Sequence, residues 1–67
     1  MGRMSDASEL SSIAADLDQL AVRLAGLASA QERARREDVS LPLHEAERAL
    51  RAGYRHVAVA LKILGQN

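Results

Sequence analysis

The chain contains no cysteine, no tryptophan and no phenylalanine, and only one tyrosine and one proline. Without cysteine there are no disulfides, no thiolate metal sites and no cysteine nucleophile. With almost no aromatics, a core must come from Leu, Ile, Val and Ala, and nucleic-acid bases find no stacking platform. An excess of one charge is missing too: nine basic residues balance nine acidic ones. That argues against a dominant field for nucleic acid or membrane. No apolar run reaches the roughly 18 residues needed to cross a bilayer. The opening residues have one arginine, Arg3, and no apolar block behind it, so no signal peptide is expected. Asp6 stands where a myristoylation signal needs Ser or Thr. A cytoplasmic protein that meets no membrane is expected.

What is present is small and strongly patterned. Sixty-seven residues make a single domain, 1–67, with 1–4 as a flexible tail. A chain of this size buries only roughly 60% of the surface it exposes when unfolded. With disulfides excluded, self-association is the expected remedy.

The organising stretch is Leu10 to Ala34. Leu10, Leu17, Leu24 and Gln31 recur every seven residues, and Ile13, Leu20, Leu27 and Ala34 follow three behind, so seven of eight seam positions are apolar. This is a coiled-coil-like 3-4 repeat and predicts one long amphipathic helix. Ala14, Ala21 and Ala28 repeat alongside and widen the stripe. Ser5 or Asp6 caps this helix, with Asp6 and Glu9 at capping-box spacing. It is expected to run to about residue 37. The turn is Asp38-Val39-Ser40-Leu41-Pro42, with Ser40 as the next N-cap and Pro42 in the opening turn. The second helix is expected over about 41–64, with Gly65 as a left-handed stop.

In the second helix Leu43, Ala46, Leu50, Gly53, Val57, Ala60 and Leu64 form their own 3-4 track, widened by Tyr54 and Leu61. A short turn makes the two helices antiparallel. Facing residues then have numbers with a constant sum. A sum of 81 pairs Leu17 with Leu64 and Ala28 with Gly53; a sum of 74 also matches small with small but needs a more lopsided turn. In the first register Leu10, Ile13 and Ala14 overhang the second helix. Val22 and Gly26 lie on the far side of helix one, and Val59 and Ile63 on the far side of helix two. The expected fold is therefore all-α, an antiparallel two-helix hairpin that dimerises into a four-helix bundle. Its expected dimer interface is Leu10, Ile13, Ala14, Val22, Gly26, Val59 and Ile63.

Chemistry-bearing constellations are sparse. A di-iron bundle needs Glu-x-x-His pairs, but Leu41 and Gly53 stand three residues before His44 and His56. No metal or cofactor is expected. Asp16 and Asp18 point to different sides of a helix. Ser11 and Ser12 have no base near in sequence, and no Gly-rich phosphate loop is present. No enzyme is expected.

Arg48, Arg51 and Arg55 form a basic stripe that could bind an anion, joined at the turn by Arg33, Arg35 and Arg36. Residues 31–56 nevertheless carry six Arg against five acids, the balance of a solvated face. His44-Glu45 resembles the phosphoacceptor dyad of histidine-kinase dimerisation hairpins over those two residues; Ala46-Glu47-Arg48 then departs from that family's pattern. The hairpin also resembles type VII secretion substrates at the level of fold, without their Trp-x-Gly turn and with Ala58 in place of the export-motif acid. The expected function is a protein–protein interaction or assembly module, such as a small regulator or adaptor. The alternatives are a nucleic-acid-associated regulator using the Arg-rich turn, or one half of a hetero-complex such as an antitoxin or a type VII secretion-like partner.

Overall fold

A computed structural model describes residues 5–66; the tail expected at 1–4 lies outside them. Two helices, α1 (Asp6–Arg33) and α2 (Glu37–Gly65), pack against each other, and among the described residues there is no strand. The Cα envelope measures 51 × 22 × 12 Å. Two helices side by side make the hairpin a single layer.

Ser5 caps α1: its backbone is extended and its hydroxyl accepts from the Ser8 N–H at 3.1 Å. Asp6 and Glu9 follow in the first turn, where the helix dipole favours acids. The other end of α1 comes earlier than the sequence signals imply. Arg35 adopts a left-handed φ of 64°. The Arg36 N–H bonds the Gln31 carbonyl at 2.8 Å, and the Arg35 N–H bonds the Glu32 carbonyl at 3.0 Å. Those two bonds are a Schellman closure, which satisfies the last carbonyls. A non-glycine residue in this conformation costs roughly 1–2 kcal/mol, so the sequence gives little warning of it.

α2 starts at Glu37 rather than near residue 41, because the Schellman turn delivers the chain straight into it. The Arg36 carbonyl accepts from the Ser40 N–H at 2.9 Å, the first helical bond. Glu37 and Asp38 occupy the first turn and meet the positive end of the dipole. Asp38 also receives two 3.0 Å hydrogen bonds from the Arg36 guanidinium. Ser40 is thus inside the helix and is not its cap. Pro42 lies inside α2; it offers the Asp38 carbonyl no N–H, a loss confined to the second turn. Gly65 ends α2 without a left-handed φ.

The three-residue turn at 34–36 also moves the register. A Cβ built on Gly53 would lie 3.8 Å from the Leu17 side chain, and Glu32 meets His44 at 2.8 Å. Those pairs sum to 70 and 76, which brackets the lopsided register and rejects the sum of 81. The helices are also nearly equal, 28 and 29 residues. The expected overhang therefore does not exist: α2 covers Ala14, which is buried, and half-buries Leu10.

The closest contact line is made of small residues. Ala14, Ala21, Ala28 and Ser40 are the buried residues of the described chain. Alanines let the helix backbones approach, and the leucines are pushed to the flanks of the seam. Nine of the seventeen described Leu, Ile, Val and Tyr residues are exposed and none is buried. One layer cannot enclose a large side chain.

Candidate interaction surface

The seam divides the hairpin into two broad faces. At 3.6 residues per turn, each residue turns about 100° from the last. Asp18 and Val22 lie to one side of Ala21, and Leu20 lies to the other. For antiparallel neighbours, turning the same way from the seam leads to the same face. The structure shows this directly: Asp18 of α1 shares a cleft of about 250 Å³ with Arg51, Tyr54 and Arg55 of α2.

That first face carries ion pairs made within the chain, beside the exposed Val22 and Tyr54. His44 Nε2 meets Glu32 Oε2 at 2.8 Å across the helices, and its Nδ1 lies 3.8 Å from Glu47. Arg51 donates to Glu47 at 3.0 Å, and Arg48 bonds Glu45 on the outer surface of α2. At the turn the Arg36 guanidinium holds the Asp38 carboxyl below the usual carboxylate range. The three arginines proposed for anion binding do lie together, lining a groove with Glu45, Ala49 and Ala52. Two of them are held by carboxylates of their own helix. Arg55 has no ion pair among the described residues, and an anion here has only that one guanidinium unengaged.

The second face is apolar. Ile13, Leu20 and Leu27 stand in a line along α1 and are 40%, 43% and 55% exposed. Each precedes a buried alanine of the seam by one residue. Along α2 on the same face run Ala46, Gly53 and Ala60, half-buried and also seven apart. Ile63 and Leu64 close the end of this face, both exposed.

The expected dimer interface does not assemble as one patch. Ala14 and Leu10 belong to the seam within the hairpin. Val22 and Gly26 lie on the side of the polar face, both exposed. A Cβ on Gly26 would meet nothing within 4 Å, so that glycine is not a close approach inside the hairpin. Val59 is exposed on the back of α2. Ile13, with Ile63 beside it, is on the apolar face. Leu20 and Leu27, which the seven-residue spacing assigns to the hairpin's own seam, stand exposed on the same face as Ile13. The cross-helix pair Glu32–His44 needs the correct register to be seen at all.

Among the described residues, no three His, Cys, Asp or Glu side chains are grouped to hold a metal ion, and no helix is long and apolar enough to cross a membrane. The chain matches no protein-family profile, no curated protein and no solved structure.

Proposed function

We propose that this chain is a non-enzymatic assembly module of the cytoplasm, a helical hairpin that pairs with a second copy of itself to make a four-helix bundle and works without a cofactor. The observation that carries this reading is the exposed line Ile13, Leu20 and Leu27. It recurs every seven residues along α1, and the fold of one chain leaves it about half exposed. Covering the exposed half of each side chain is worth roughly half of the 1.5–3 kcal/mol of a full burial. The polar face supports the same reading, since its ion pairs are already made within the chain.

Light scattering on the purified protein tests it. The reading expects twice the 7.2 kDa chain mass at micromolar concentration. A single-chain mass together with full helicity overturns it. A single-chain mass with poor helicity, reversed only when a different protein is added, replaces the homodimer with a hetero-complex.

A further inference from the structure

The apolar face is complementary to itself in one orientation, and we infer that two copies pair about a two-fold axis parallel to the helices, with both turns at the same end. This rests on the homodimer proposed above and adds its geometry. Residues level with one another across the hairpin have numbers that sum to about 73, midway between the contacts Leu17–Gly53 and Glu32–His44. A rotation about an axis along the helices keeps every residue at its own level. It carries α1 of one copy over α2 of the other. Ile13, Leu20 and Leu27 of one copy then come level with Ala60, Gly53 and Ala46 of the other. Each of those pairs sums to 73, inside the range of 70 to 76 that the two cross-helix contacts set. Three large side chains fall on a track of three small residues of the facing helix, twice by symmetry.

The alternative axis runs across the helices. It stacks α1 on α1, sets the large ridge on itself, and leaves the small track facing the small track. The first arrangement fills the layer evenly and the second wedges it. At the rim, Asp16 of one copy comes level with His56 of the other.

The area suffices for a stable dimer. Helices of 28 and 29 residues are roughly 42 Å long, and the pair is 22 Å across. The face is thus about 900 Å² in outline, comparable with the roughly 800 Å² per partner of a specific interface.

The absence of cysteine makes the test clean. Ala34→Cys, in the exposed turn, carries one nitroxide label per chain, and pulsed dipolar spectroscopy measures their separation. With turns at the same end, the two labelled positions are about 13 Å apart, from two interaxial steps of roughly 9 Å at right angles. A short label distance, under about 25 Å, is the expected result. A distance of about 40 Å, the helix length, in a protein that light scattering shows to be dimeric overturns this orientation and leaves the homodimer standing. No dipolar signal and a single-chain mass overturn both. As a second check, Gly53→Leu fills the receiving position. It is expected to weaken dimerisation about ten-fold or more while Gly53→Ala, which makes an ordinary 3.8 Å contact with Leu17, keeps the hairpin helical. Unchanged association in Gly53→Leu contradicts the proposed pairing.

Discussion

One broad face of the hairpin carries Asp18, Glu32, His44, Glu47 and Arg51, and the opposite face carries Ile13, Leu20 and Leu27. On the first, counter-charges sit within reach: Glu32 with His44, and Glu47 with Arg51. On the second, about half of each side chain meets water. The magnitudes separate the two. An exposed ion pair contributes about 0–1 kcal/mol and is screened by salt. Burying a large aliphatic side chain contributes roughly 1.5–3 kcal/mol and is not. The polar face holds one pair that crosses the helices, Glu32–His44; the apolar face has burial left to gain.

The sharpest way to break that comparison uses two neighbours on opposite faces. Leu20→Asp places a charge in the middle of the apolar line, and Val22→Asp places one on the polar side. We expect Leu20→Asp to weaken dimerisation by about 100-fold or more, from at least about 3 kcal/mol of lost burial and buried charge. Val22→Asp should change it less than about three-fold. Sedimentation velocity across a dilution series reads both. Equal losses mean that the faces are wrongly assigned.

A smaller effect compares the two helix starts. Ser5 caps α1 through its hydroxyl, so Ser5→Ala should cost about 1 kcal/mol. Ser40 is buried inside α2 and its hydroxyl has no hydrogen-bond partner. Ser40→Ala removes an unsatisfied group and adds helix propensity, so it should stabilise by about 1 kcal/mol. Urea titration gives both signs. Destabilisation in Ser40→Ala would restore that residue as a cap.

The smallest effect is at the turn. The guanidinium of Arg36 lowers the Asp38 pKa, chiefly through their side-chain hydrogen bonds. A depressed carboxyl contributes stability that is present above its unfolded value and is lost as pH falls through the folded one. The NMR titration of Asp38 should therefore lie below the usual Asp midpoint and move back up in Arg36→Gln. An unchanged midpoint in that variant removes the pairing from the description of the turn.

Two helices, their antiparallel run and the seven-residue tracks were legible in the sequence, because period and capping are local. The turn was not. Ser40 and Pro42 carry strong start signals, whereas the chain reverses at Arg35, whose left-handed φ no residue type announces. That displacement moved the register and removed the overhang. The seam was misread for a different reason. Size ranks the leucines as core, but close approach belongs to Ala14, Ala21 and Ala28, which lets the larger side chains face outward.

Thermal unfolding followed by circular dichroism over a hundred-fold range of protein concentration tests most directly whether a second copy completes this fold. If it does, the midpoint rises with concentration, since mass action favours the assembled state. A midpoint that stays fixed, in a fully helical protein, means that one chain is stable with its leucine line in water.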